Sequence, residues 1–337
     1  MKRAGRLFPR ISERANLLVA FHRALRGKRD RDEVRRFSQN LERRLCELRA
    51  GIETDSLPLG RYTQFIIHDP KERIITAPCF EERVLHHAIM NVCEPVFERR
   101  LIADTYACRK GKGRIAALLR AQQFAGSHTH FLKYDIRHYF DSISHAILKQ
   151  QLATLFKDTP LLRLFGRIID GFRSALGKGL PIGSLMSQHF ANFHLAALDR
   201  FVKETLRIPG YVRYMDDMAL WANSGNELSA ALVRIEQFVS TELRLEMKPT
   251  PYINRVRHGM DFLGCRVFSG HMELNRRSRR RFARGLATLE RLYLAGRIGE
   301  EELQQRATAM VAFTRTKGVC SWKFRTAVLK SLEVDSQ

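Results

Sequence analysis

Tyr211-Val212-Arg213-Tyr214-Met215-Asp216-Asp217-Met218-Ala219-Leu220-Trp221-Ala222 is the stretch on which the reading turns. It is an apolar run in which two adjacent carboxylates interrupt what otherwise reads as a buried hairpin. Two anions in such a place are costly unless something positive pairs with them. A divalent cation does this well, and a site of hard oxygen ligands suits Mg²⁺. By itself the Tyr-x-Asp-Asp pattern also fits a plain turn in water, so its meaning depends on what else the chain carries.

Asp135 is the second acidic feature. It ends a short apolar strand, 131–136, that is interrupted by Lys133, and it is followed by Ile136 and then by Tyr139-Phe140. A carboxylate at the end of a buried strand is a natural partner for Asp216, although alone it suits a helix cap equally well. Together the two could hold a pair of ions about 3.5–4 Å apart, the spacing of in-line phosphoryl transfer. One ion would activate a primer 3′-hydroxyl, and the other would hold a triphosphate and neutralise the departing pyrophosphate. A third feature is Gly179-Leu180-Pro181-Ile182-Gly183-Ser184-Leu185-Met186-Ser187-Gln188. Its glycines and a serine at a helix start let backbone approach a nucleotide closely, yet the same run reads as an ordinary loop-to-helix junction.

The composition agrees with a polyanionic partner. The 337 residues include 58 Lys and Arg against 35 Asp and Glu, a formal net charge of +23. Hydrophobic residues make up 45%, with 21 Phe, which excludes a disordered basic tail and allows a sizeable core. No apolar run approaches the roughly 20 residues of a membrane span, and no secretory signal is evident. The six cysteines form no C-x-x-C pair and show no zinc spacing, so a reducing cytosol is the expected home. The adjacent His86 and His87 point in different directions on a helix and read as structural or RNA-facing rather than as metal ligands.

Residues 1–50 read as basic helices, and 51–60, with Pro58 and two glycines, as a linker. Residues 62–67 and 73–76 read as a hairpin, 80–97 as a helix, 145–175 as helical, and 184–205 as a helix. Leu228, Leu232, Ile235, Val239 and Leu243 mark one face of an amphipathic helix. Residues 262–268 read as a last strand, and from Asn275 the pattern is helical and basic again. Strands and helices mix without βαβ alternation, so the expected class is α+β.

In their order along the chain these features resemble the palm of reverse transcriptases. Asp135 with Phe140 is similar to motif A, 179–188 to motif B, and 214–217 to motif C. Lys71 with Arg73-Ile74-Ile75 resembles the fingertip motif. Tyr106-Ala107-Cys108-Arg109-Lys110-Gly111-Lys112-Gly113 resembles a segment of group-II-intron-like enzymes. Residues 243–248 resemble motif D, and Phe262-Leu263-Gly264-Cys265 the primer grip. The resemblance runs from about residue 60 to 270 and implies a right-hand polymerase fold. Its parts would be a basic helical N-terminal extension (1–60), fingers (61–130), a palm with an antiparallel sheet carrying the aspartates (131–255, with a helical insertion at 145–178), and primer grip plus basic helical thumb (256–337).

The resemblance also implies roles. Asp135, Asp216 and Asp217, with the Ile136 carbonyl, would hold two Mg²⁺ ions, with Mn²⁺ able to substitute. Lys71 and Arg73 would clamp the triphosphate, and Lys248 would protonate pyrophosphate. Tyr139, Phe140, Ile182 and Gly183 would contact the nucleotide, with Phe140 excluding a 2′-hydroxyl. Arg109, Lys112, Tyr214, Gly264, Arg276, Arg277, Arg280 and Arg281 would contact nucleic acid.

Motif B narrows the family. Most reverse transcriptases carry Gln-Gly and end the motif Ser-Pro, whereas this chain has Ile182-Gly183 and Ser187-Gln188, which resembles the enzymes of diversity-generating retroelements. That likeness implies error-prone, adenine-mutagenised cDNA made from a template-repeat RNA with flanking structured RNA, and mutagenic retrohoming. It implies dNTPs as substrates, an RNA–DNA duplex as product, a small basic pentameric accessory variability protein as partner, and a bacterial or phage gene expressed in the cytoplasm without membrane contact. An antiphage-defence or retron reverse transcriptase is the alternative of the same class. A non-catalytic RNA-binding protein on a polymerase fold is the alternative of another.

Overall fold

The computed structural model describes residues 2–68, 72–315 and 318–332. Helices α1 (Phe8–Ser12), α2 (Arg14–Leu25), α3 (Asp32–Gln39) and α4 (Leu41–Glu53) open the chain. A hairpin of β1 (Tyr62–His68) and β2 (Glu72–Pro78) follows, then α5 (Phe80–Glu98) and α6 (Arg114–Ser127). Strand β3 (His130–Asp135) leads into α7 (Tyr139–Ser142), α8 (His145–Leu155), α9 (Thr159–Asp170), α10 (Leu185–His194) and α11 (Ala196–Arg200). Next come β4 (Gly210–Tyr214), β5 (Asp217–Ala222) and α12 (Gly225–Thr241). The strands β6 (Tyr252–Arg255), β7 (Met260–Phe262), β8 (Cys265–Val267) and β9 (Met272–Leu274) precede α13 (Arg276–Leu294), α14 (Glu300–Thr314) and α15 (Trp322–Leu329). All pairings between these strands are antiparallel, and the class is α+β.

Two compact units share the chain. The first gathers Met1–Ala103, Ile136–Phe201 and Ile235–Lys248, and the second Asp104–Asp135, Val202–Arg234 and Pro249–Gln337.

The first unit is mostly helical. Its centre is aromatic: the Phe97 ring meets Phe156, Phe193, Phe190 and Phe165 at centroid distances of 5.4–6.5 Å. Helical character over 145–175 is interrupted between α8 and α9. Asp158 is the N-cap of α9 and Pro160 sits in its first turn, where a missing N–H needs no partner. The Asp158 carboxylate also accepts from the N–H groups of Arg6, Leu7 and Phe8, which fixes the entry to α1. The β1–β2 hairpin has Tyr62 opposite Pro78 and His68 opposite Glu72. Its β-branched residues favour extended backbone, and it leaves Phe65, Ile66 and Ile74 exposed.

The second unit is built on a sheet of order β4-β5-β3-β6. Helix α6 covers it through Leu118 and the small residues Ala117, Ala121 and Ala125, which pack with Phe131, Val212, Ala219 and Trp221 in one core. The single strand expected over 262–268 is instead a hairpin, β7–β8, continued by β9. Leu263 and Gly264 both take left-handed backbone, φ +46° and +83°, and this pair makes the tight two-residue turn that reverses the chain.

Candidate active site

Register decides where the paired aspartates stand. Tyr214 is opposite Asp217, so Met215 and Asp216 form the two-residue turn between β4 and β5. Such a turn needs left-handed backbone, and Met215 supplies it at φ +58°. In a residue with a side chain this costs roughly 1–2 kcal/mol. Arg213 holds the turn in place: its Nη1 donates to the Met215 carbonyl at 3.0 Å, and the side chain is fully buried. The Arg213 backbone is fixed in turn, its N–H donating to the Asp104 carbonyl and its carbonyl accepting from Tyr106 N–H, both at 3.0 Å.

Strand β3 lies beside β5 and places Asp135 opposite Asp217. The Asp135 and Asp216 carboxyl groups come within hydrogen-bond reach of each other. Burial first, then the negative charge of Asp135, push the Asp216 carboxyl up to about 7, and Asp217 adds in the same direction. Asp217 Oδ1 lies 3.4 Å from Lys133 Nζ, which also donates to the Asp261 carbonyl at 2.8 Å. The charged residue that interrupts the apolar strand β3 thus links the carboxylate site to β7.

The donor set fits a hard divalent cation. Among the described residues no three His, Cys, Asp or Glu side chains are grouped to hold an ion unaided. Mg²⁺ asks for less, since one or two carboxylates suffice when water and substrate phosphate complete the shell. Asp135 and Asp216 are such a pair, and a cation between them would offset the burial and the repulsion that otherwise retain a proton on Asp216.

The other candidates in the second unit divide into two groups. Tyr214 is half-buried beside the turn, with its phenol pushed up chiefly by burial. Gly264 is the second residue of the β7–β8 turn, and its carbonyl accepts from Asn275 N–H at 3.2 Å. Arg109 Nη1 donates to the Thr105 carbonyl and hydroxyl at 2.9 and 2.7 Å, and Lys112 Nζ lies 5.0 Å over the Tyr106 ring. These two cations therefore brace their own segment. On α13, Asn275 caps the helix by accepting from Ser278 N–H at 2.8 Å, and Phe282, Leu286 and Leu289 form the buried face. Arg276, Arg277 and Arg280 are exposed and Arg281 is half-buried.

The first unit holds the remaining candidates. Arg73 is exposed on β2 opposite Ile67, whereas Lys71 lies outside the described residues. The Ile182 carbonyl accepts from Thr76 N–H at 2.7 Å, which docks motif B onto β2. Gly183 has φ +119°, and a Cβ there would stand 2.7 Å from Ile75 Cγ2. Ser184 caps α10, accepting from Ser187 N–H at 3.4 Å, and lies 3.5 Å from His86 Nδ1. Burial holds His86 down at about 3, so it is neutral and structural. Tyr139 starts α7. Its ring is buried against His194 and its hydroxyl donates to the Ala191 carbonyl at 2.5 Å. Phe140 is half-buried. Ile136 is buried and bridges Met247, which puts Lys248 one residue beyond that bridge.

Residues 68–267 match the family described as reverse transcriptase (RNA-dependent DNA polymerase), and the chain belongs to that family. The right-hand polymerase fold follows, and enzymes of this family use divalent metal ions. Among curated proteins the chain is similar to the COX1/OXI3 intron 1 protein of Saccharomyces cerevisiae. The two are 19% identical over 134 residues, which is 38% of this chain and 16% of that one. Among solved structures it is similar to telomerase from Candida albicans in complex with the TWJ fragment of telomeric RNA. That match has TM-score 0.46 and 13% identity, and covers 82% of this chain and 55% of that one. Apo telomerase from Candida tropicalis gives TM-score 0.49 and 10% identity, with coverage of 81% and 62%. The chain spans less than two thirds of the length of each of these relatives.

Arg213 and Lys133 are the residues that sequence reasoning missed. Their signal was present, a cation inside each of two apolar strands, but it was outweighed by the neighbouring aspartates.

Proposed function

We propose that this chain is an RNA-directed DNA polymerase that extends a primer at Asp135 and Asp216. The observation that carries the reading is the pair itself: two carboxyl groups within hydrogen-bond reach, one of them pushed up to about 7, on a turn held by a buried arginine. Asp135, Asp216 and Asp217, with the Ile136 carbonyl, would hold the divalent ions, Mg²⁺ by the chemistry of the donors. When bound, such ions supply Lewis-acid activation of a 3′-hydroxyl and charge neutralisation on pyrophosphate. Lys71 and Arg73 would orient the triphosphate, Phe140 would exclude a ribose 2′-hydroxyl, and Lys248 would deliver a proton to the leaving group. Fingers, palm, primer grip and thumb would follow the linear division at residues 61, 131 and 256.

The same proposal extends to the subtype. Ile182 stands where most relatives carry a glutamine, and an aliphatic chain offers no hydrogen bond to the incoming nucleotide. Without a hydrogen bond that forms only in the correct geometry, discrimination weakens by about 1–3 kcal/mol. The Ile182-Gly183 and Ser187-Gln188 pattern therefore supports an error-prone, adenine-mutagenising enzyme of a diversity-generating retroelement. It would copy a template-repeat RNA and act with a small basic accessory protein.

Primer extension on an RNA template with Mg²⁺ and dNTPs tests the polymerase. Extension by wild type that disappears in Asp216→Ala is expected, and a wild type that binds RNA without extending any primer overturns it. Sequencing cDNA from wild type and Ile182→Gln tests the subtype. Fewer adenine-directed errors are expected in the variant, and identical spectra would sink the claim.

A further inference from the structure

Apart from the carboxylate site, the second unit carries a cleft of about 600 Å³ at the start of α15, within the size range of ligand sites. Arg279, Arg315, Trp322, Lys323, Phe324 and Arg325 line it, and among the described residues no acidic one does. Arg279 and Phe324 belong to the wall. Arg279 donates to Glu273 at 2.9 Å and lies 5.7 Å over the Phe324 ring, which rests on Phe282 at 5.8 Å. The other four groups are not used by the fold in this way. Among the described residues no carboxylate pairs with Arg315, Lys323 or Arg325, and Arg325 Nη1 is buried without a hydrogen-bond partner. Trp322 is 69% exposed.

The floor of the cleft is fixed to a sheet. Val319 bridges Met272 of β9, Cys320 N–H donates to the Met272 carbonyl at 2.7 Å, and Ser321 Oγ donates to the Thr314 carbonyl at 2.6 Å. Three cations on a fixed frame, with no carboxylate partner among the described residues, repel one another unless an anion joins them. An exposed indole beside them offers a flat apolar face that water solvates poorly.

We propose that this cleft binds an unpaired nucleotide of a single-stranded nucleic acid, its base stacked on Trp322 and its phosphates held by Arg315, Lys323 and Arg325. A duplex offers the phosphates but keeps its base faces inside its own stack, so it satisfies only half of the site. The site is separate from the exposed arginines of α13, which suit a duplex backbone. It does not depend on the polymerase reading.

Tryptophan fluorescence of the full chain tests it. The only other tryptophan, Trp221, is fully buried in the sheet core, so a change on adding nucleic acid reports Trp322. A short oligouridylate, which forms no duplex, should quench the emission, whereas a blunt RNA duplex should leave it largely unchanged. The double variant Lys323→Ala/Arg325→Ala should weaken the quench midpoint about tenfold and reduce its salt slope by about 0.7 for each phosphate no longer neutralised. Asp216→Ala should quench like wild type, which separates this site from catalysis. Duplex quenching as strong as that of the single strand, or no quenching by oligouridylate, overturns the proposal. So does an unchanged midpoint in the double variant when circular dichroism shows it folded.

Discussion

Both units bury ionisable groups, the first Glu82 and Asp199 among them, but their most strongly shifted groups differ in kind. The first buries imidazoles and keeps them neutral: burial holds His86 at about 3 and His194 at about 4, and each is engaged in packing or hydrogen bonding. The second buries charge: the Arg213 guanidinium is fully buried, and burial, followed by the charge of nearby Asp135, lets Asp216 retain a proton up to about pH 7. Neutral buried histidines need only a good fit. Buried like charges are held at a cost, and they occur together with a turn whose Met215 backbone is left-handed. Strain and a crowded carboxyl pair coincide in the second unit, at the place where chemistry is proposed.

That contrast can be broken most sharply at Arg213. Arg213→Met removes the donor to the Met215 carbonyl and should lower kcat of primer extension about a hundredfold, the scale expected when a reacting group is displaced by about 1 Å. KM for dNTP should change little, and Arg213→Lys should restore part of the rate. A folded Arg213→Met variant with wild-type kcat would show that the buried charge only packs.

The next largest effect concerns pH, and the buried histidines of the first unit should differ in sign from Asp216 of the second. In the first, an unfolded histidine takes up a proton below about 6.5 while the folded one stays neutral. Stability from these groups is thus present above pH 6.5 and is lost as pH falls toward 4. Each should contribute about 2 kcal/mol of destabilisation by pH 5. Thermal melting across this range checks it, and His86→Gln should flatten the slope. In the second unit the raised Asp216 carboxyl gives the reverse. Without divalent cation its contribution is present at low pH and fades as pH rises through about 7. Added Mg²⁺ at pH 8 should raise the melting temperature of wild type but not of Asp216→Asn.

The smallest effect tests motif B within the first unit. Gly183→Ala forces a side chain into φ +119° and against Ile75, and should cost about 1–2 kcal/mol in urea denaturation. A neutral outcome would mean that motif B is not seated on β2 as the Thr76–Ile182 hydrogen bond indicates.

How much of this could be read in the sequence depends on the kind of signal. Asp135 and the Asp216-Asp217 pair were legible because carboxylates inside apolar strands are anomalous whatever the fold. The β1–β2 hairpin was legible because its β-branched residues and turn signal agree. The β7–β8 turn was not, since a leucine at positive φ contradicts local preference and is set by tertiary packing. That Tyr139 is buried while Phe140 is half-buried was equally hidden. The left-handed His138, φ +44°, starts α7 and helps decide which aromatic turns inward. Arg213 gained its role only from the direction of one carbonyl two residues away.

The chain crosses between its units after Ala103, Asp135, Phe201, Arg234 and Lys248. Each unit is therefore assembled from segments separated by stretches of the other. During synthesis the first unit waits for residue 248, and by then two of the three segments of the second have already been made. Neither can finish alone on the ribosome as a contiguous domain would, and long-range contacts of this kind slow folding. Expression of this chain should therefore respond to translation speed and chaperone supply more than its mean composition would indicate.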